Sequence, residues 1–71
     1  MMKFDINTVS YFSKLDNTEM LVIYNAGDCD TFKYSDIKKM KLTKVDILCR
    51  TEHLENDELN FILNKCGFDD V

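Results

Sequence analysis

Four side chains of the types that bind zinc occur in the chain: Cys29, Cys49, His53 and Cys66. Four such ligands are the number that a closed tetrahedral site requires. Structural zinc modules usually supply them as closely spaced pairs, whereas only Cys49 and His53 lie close together here. A free cysteine also behaves as a small apolar residue. We therefore expect no metal or other cofactor, and a zinc-stapled small module stays open as an alternative.

The same residue types could perform nucleophilic catalysis, in which a histidine base activates a cysteine thiolate. His53 is the only histidine, and a chain of 71 residues has little room for a substrate cleft. Glycine-rich phosphate loops, metal-binding histidine pairs and serine elbows are absent, because the chain has two glycines and one histidine. The sequence therefore predicts a protein that is not an enzyme.

Length and composition predict one compact domain over residues 1–71 with a thin core, since a domain of this size buries only about 60 % of its unfolded surface. The longest apolar run, Met20–Tyr24, is far short of the ~20 residues that span a bilayer.

Three cysteines without an export signal favour reduced thiols. We expect a cytoplasmic protein. The absence of proline and the single alanine are typical of phage or mobile-element genes, which would place the protein in the host cytoplasm.

The clearest predicted element is a helix over 57–66. Asn56 would cap its start, acidic residues fill its first turn, and Gly67 follows its end as expected for a helix C-terminus. Residues 20–24 and 31–34 predict a β-hairpin across a turn that contains Gly27.

In that hairpin, Tyr24 would lie opposite Phe32 or Tyr34. A helical turn over 35–40 and a third strand over 45–49 would follow. The apolar spacing before the hairpin favours a helix over about 6–15, although alternating residues near its start also fit a strand. The fold class is thus α+β: a three-stranded antiparallel sheet with an N-terminal and a C-terminal helix on one face.

Charge is divided into blocks along the chain, although the net charge is −4. The central block is basic (Lys38, Lys39, Lys41, Lys44 and Arg50), and it would either contact phosphate or form an ordinary exposed loop. The C-terminal block is an acidic face (Glu52, Glu55, Asp57, Glu58, Asp69 and Asp70), and it would either dock onto a basic surface or only favour the start of a helix. A pI near 4.7 disfavours direct binding of nucleic acid.

These observations favour a small interaction protein that binds and blocks or regulates another protein. Tyr11, Tyr24 and Tyr34 are its candidate anchors, unless they complete the core. The acidic face would imitate nucleic acid on a basic nucleic-acid-binding surface, as a phage inhibitor could do. A self-associating dimer, whose interface supplies the missing core, is a further alternative to the zinc-stapled module.

Overall fold

The computed structural model describes residues 4–68 and confirms the α+β class with a three-stranded antiparallel sheet. A short 3-10 turn (Ile6–Thr8) precedes the first strand. In chain order the elements are β1 (Val9–Lys14), β2 (Glu19–Tyr24), β3 (Cys29–Lys33), α1 (Tyr34–Lys39), α2 (Lys44–Leu48) and α3 (Asn56–Lys65).

The sheet has the strand order β1-β2-β3, with both neighbouring pairs antiparallel. The predicted hairpin is confirmed as β2 and β3. The predicted aromatic pairs across it are wrong, because the register places Phe32 opposite Met20 and Tyr24 opposite Val9 of β1. Tyr34 lies outside the sheet at the start of α1.

The predicted N-terminal helix over 6–15 is wrong, since most of that segment forms β1. A β-bulge explains the error. Val9 pairs with Tyr24 and Tyr11 pairs with Ile23, so β1 advances two residues while β2 advances one. The extra residue brings Val9 and Phe12 to the same face, and both are buried. A spacing of three therefore reflects an irregular strand here rather than a helix.

The predicted third strand over 45–49 is also wrong, because this segment forms α2. Thr43 is the N-cap: its hydroxyl accepts the Asp46 amide at 3.0 Å, and the Asp46 carboxylate accepts the Thr43 amide at 3.0 Å. This reciprocal capping box satisfies two amides at the helix start. The local cap outweighs the strand preference of the β-branched residues, and Ile47 faces the core.

The helix predicted at the C-terminus is confirmed as α3. Its first residue is Asn56, and the N-cap is Glu55 rather than the predicted Asn56, with no side-chain cap. Gly67 follows the helix with φ of 93°, a conformation that favours glycine. The Phe68 amide donates to the Leu63 carbonyl at 2.8 Å, as in a Schellman motif.

One hydrophobic cluster joins the helices to a single face of the sheet. Phe12, Met20 and Val22 of the sheet have no exposed surface, and they share this cluster with buried residues of all three helices. The remaining members of the cluster are Val9, Tyr34, Ile37, Ile47, Ile62, Leu63 and Cys66. The helices thus contribute to the core on this face, although they are not the predicted N-terminal and C-terminal pair, since all three follow the sheet in the chain.

Candidate functional site

The other face of the sheet carries apolar side chains that belong to no core cluster. Tyr11 pairs with Ile23, and Leu21 pairs with Thr31, so these four side chains share the face opposite to Phe12. Tyr11 is 39 % exposed, Leu21 and Ile23 are half-buried, and Thr31 is exposed. We call this set, Tyr11, Leu21, Ile23 and Thr31, the open face.

The loop between α2 and α3 contacts this face through His53. The His53 ring meets the Tyr11 ring edge-on, with centroids 4.7 Å apart. Its Nε2 lies 3.2 Å from Ser13 Oγ. A serine beside a histidine can be a nucleophile and its base, but the described residues offer no carboxylate to orient Nδ1. The contact instead fastens the loop to the β1 side of the open face.

Arg50 fastens the same loop to the edge of β1. Its Nε donates to the Val9 carbonyl at 3.1 Å and its NH1 group to the Asp46 carbonyl at 2.8 Å. The Arg50 carbonyl in turn accepts the Phe12 amide at 2.8 Å. The guanidinium group is therefore engaged within the fold, which disfavours phosphate contact by Arg50, one of the two alternatives that the sequence left open for the basic block.

The acidic residues of the described C-terminal part lie beside this loop and in the first turn of α3. Glu52, Glu55 and Asp57 are exposed, and Glu58 is half-buried. Glu52 directly precedes His53, so it lies in the loop that contacts β1. Asp69 and Asp70, which were predicted to extend the acidic face, lie outside the described residues.

The three candidate tyrosine anchors have different environments. Tyr11 is on the open face. Tyr24 is half-buried on the core side, and its hydroxyl donates to Asp30 Oδ2 at 2.9 Å. Burial, together with this carboxylate, raises the pKa of Tyr24 to about 12. Tyr24 also lines a pocket of about 270 Å³ beside Phe4 and Phe32, whose rings meet edge-on.

Tyr34 is a core residue with 4 % of its surface exposed. Its ring packs edge-on against Phe61, with centroids 5.6 Å apart. Burial raises the pKa of Tyr34 to about 12, with smaller contributions from Cys66 and Asp16. The prediction of Tyr34 as a surface anchor is wrong, because its apolar area is already used to complete the core.

The structure does not bring the candidate zinc ligands together. Cys29 is exposed on β3, whereas Cys49 ends α2 next to the loop that covers the opposite edge of the sheet. Cys66 is buried, and this burial raises the pKa of its thiol to about 11. Residues 4–68 hold no group of three His, Cys, Asp or Glu side chains placed to share a metal ion.

Sequence reasoning missed Leu21 and Ile23 as surface residues. They stand in the run Met20–Tyr24, whose five apolar residues indicate a strand but hide which of its two faces is covered. The run itself was the signal that could have revealed them, because a strand with apolar side chains on both faces needs other residues to pack against both.

The comparisons with known proteins yield no match: no family model, curated protein or solved structure is similar to the chain. No helix among residues 4–68 has the length and apolar character needed to cross a membrane.

Proposed function

We propose that the chain is a non-enzymatic interaction protein that uses its open face to bind another protein and so blocks or regulates it. The observation that carries this proposal is the incomplete burial of three apolar side chains on the face opposite to the helices: Tyr11 is 39 % exposed, and Leu21 and Ile23 are half-buried. A solvated face of an antiparallel sheet normally carries polar side chains. A contiguous apolar patch with a polar rim is typical of a protein interface.

The acidic charge in the loop that contacts β1 supports a basic partner. Glu52 and Glu55 are exposed and belong to the same loop as His53, which contacts Tyr11. A partner with an apolar centre and a rim of Lys and Arg would complement both features, and Tyr11 would be the central anchor. The basic rim could be a nucleic-acid-binding surface, because carboxylates pair with the same side chains that neutralise phosphates.

In its most specific form, the proposal is an inhibitor from a phage or mobile element that acts in the host cytoplasm. The support for this form is compositional: no proline, a single alanine and acidic charge gathered near the C-terminus. The acidic residues would compete with nucleic acid for the partner, while the open face would supply the apolar contact that nucleic acid lacks.

Self-association through the open face is the competing proposal. Each copy carries a net charge of −4, so two copies repel each other where a basic partner would attract. A mass measurement in solution at micromolar concentration separates the two. A monomer agrees with a different partner, whereas a stable dimer would replace our proposal with the self-associating domain.

The decisive experiment compares capture of a host protein by the native chain and by matched variants. We expect the double variant Leu21→Lys, Ile23→Lys to lose the captured partner, because two charges would be buried at the interface. Val45→Lys is the control, since Val45 is a 64 % exposed apolar residue on α2. Circular dichroism verifies the fold of each variant. Equal capture by all three proteins would contradict the proposal.

The contribution of the acidic charge is tested separately, once a partner is identified. Reversal of Glu52 and Glu55 to lysine should weaken binding and reduce its dependence on salt. The control reverses Asp28 and Asp36, which are exposed in the β2–β3 turn and on α1. If both pairs of reversals leave the affinity unchanged, imitation of nucleic acid is wrong even if the open face binds.

A further inference from the structure

A second concave site, separate in its chemistry from the open face, lies where the β1–β2 turn, the end of β3, α1 and the end of α3 meet. Its volume is about 400 Å³, within the range of roughly 300–1,000 Å³ that is usual for ligand pockets. The polar side chains that line it are Lys33, Lys38, Lys65, Asn17, Thr18 and Ser35. The buried Tyr34 ring also contributes to the wall.

The lining of this lysine pocket is positive, although the chain as a whole is negative. Three of its residues are lysines, and none is Asp or Glu. Glu19 pairs with Lys33 across the strands and is not part of the lining. The nearby Asp16 carboxylate is engaged, because its Oδ1 accepts the amides of Thr18 and Glu19 at 2.8 Å each. These two bonds lower the pKa of Asp16. Three ammonium groups around one concavity repel one another, and a bound anion would relieve that repulsion.

Two of the three lysines, although exposed, contact other parts of the fold. A Cβ atom at position 67 would lie 3.1 Å from Lys38 Cε, so Gly67 leaves room for the Lys38 stem to cross the end of α3. Lys65 Nζ lies 5.6 Å from the centre of the Phe61 ring, which also contacts the Tyr34 ring and has Lys14 Nζ 4.2 Å from its centre. Both lysines also line the pocket.

We infer that the lysine pocket binds a small anion with linked phosphoryl groups, of the class of pyrophosphate and triphosphate. Three lysines match the several negative charges of such an ion. The hydroxyls of Thr18 and Ser35 and the amide of Asn17 can donate to its oxygens. Because Lys is a hydrated point charge on a flexible stem, several charges on one ligand are needed for useful affinity. A single phosphate would bind more weakly.

Two observations favour a small ion over nucleic acid. A polymer would extend beyond the pocket onto a protein with a net charge of −4. The aromatic ring in the lining, Tyr34, is 4 % exposed and packs on Phe61, so its face is not presented for stacking with a base. The recognition therefore depends on charge and on hydrogen bonds to phosphoryl oxygens.

The test is calorimetric titration of the full chain with inorganic triphosphate at low ionic strength. We expect saturable binding to one site, and weaker binding of orthophosphate and sulfate. The variant Lys33→Gln, Lys65→Gln should lose about tenfold in affinity, from two lost charge pairs. The control Lys39→Gln, Lys41→Gln removes the same charge from lysines outside the pocket lining and should change the affinity less than about twofold. Circular dichroism checks that each variant is folded.

Amide shifts in NMR spectra locate the site, and the largest should be those of Thr18 and Ser35. The inference is overturned if triphosphate does not bind saturably or if both lysine pairs reduce the affinity equally. It is also overturned if a short single-stranded DNA binds as tightly as triphosphate, because the pocket would then recognise a polymer. None of these outcomes depends on the open face, so this inference and the proposed function can fail independently.

Discussion

Replacement of Arg50 should measure how strongly the loop before α3 is held on the edge of β1. The guanidinium group donates to the carbonyls of Val9 and Asp46 at 3.1 and 2.8 Å. A hydrogen bond from a charged group contributes about 1.5–3 kcal/mol, and Arg50 is half-buried, so the lower value applies to each bond. Arg50→Ala should therefore reduce the free energy of unfolding by about 3 kcal/mol.

That loss is large for a protein of this size. At roughly 0.05–0.15 kcal/mol per residue, 71 residues have a total stability of about 4–11 kcal/mol. Arg50→Lys keeps the charge but lacks the planar fork that reaches two carbonyls, so it should lose about half as much. Lys39→Ala is the control, because it removes one positive charge from an exposed position on α1.

Urea denaturation followed by circular dichroism gives the three values. With a slope near 1 kcal/mol per molar urea, the midpoint of Arg50→Ala should fall by about 2–3 M, and that of Lys39→Ala by less than about 0.5 M. The Phe12 amide, which donates to the Arg50 carbonyl, should also exchange its hydrogen faster in Arg50→Ala. Equal midpoints for Arg50→Ala and Lys39→Ala would refute the reasoning.

Three further predictions concern the thiols and the backbone. Ellman's reagent should modify the exposed Cys29 and Cys49 quickly in the native protein and the buried Cys66 only on unfolding; three equally fast thiols would contradict the burial. Because burial raises the pKa of Cys66 from 9.0 to about 11, the folded state favours the neutral thiol. The stability that the neutral Cys66 thiol contributes is complete below pH 9, and a loss of roughly 2 kcal/mol in the free energy of unfolding is expected as the pH rises to 11. In Cys66→Ala the free energy of unfolding should fall less steeply with pH over this range. Gly67→Ala should lower the free energy of unfolding by about 1 kcal/mol or more, because Gly67 has a φ of 93°. Lys41→Gly should raise it slightly, because Lys41 has a φ of 59°, and thermal melts give the sign of each change in stability.

The elements that could be predicted are those whose signals are local. The hairpin and α3 have turn residues, caps and a helix-ending glycine within a few positions of one another, and both are confirmed. The two wrong elements fail for opposite reasons. For α2 the sequence contains two opposing local signals. The strand preference of Val45 and Ile47 decided the prediction, whereas in the structure the capping box of Thr43 and Asp46 decides for a helix.

In β1 the deciding feature is not local. The bulge depends on the pairing of Val9 with Tyr24 and of Tyr11 with Ile23, which brings together residues distant in sequence. The candidate site also combines local features with features that depend on residues distant in sequence. The acidic residues near the start of α3 are readable from the sequence, whereas the open face and the lysine pocket exist only because the fold gathers residues from several elements.

The open face follows from how few helical residues the chain has to cover its sheet. The helices contain 6, 5 and 10 residues, and all three contribute buried side chains to the cluster on one face. No further helix among residues 4–68 is left for the other face. A chain with this architecture that functions alone would carry polar side chains there, because alternation allows each strand to separate an apolar side from a polar one. Instead, Leu21 and Ile23 continue the apolar run of β2, and Tyr11 lies beside them. That departure from alternation is unnecessary for the core, and it is the reason why we propose a partner that covers the face.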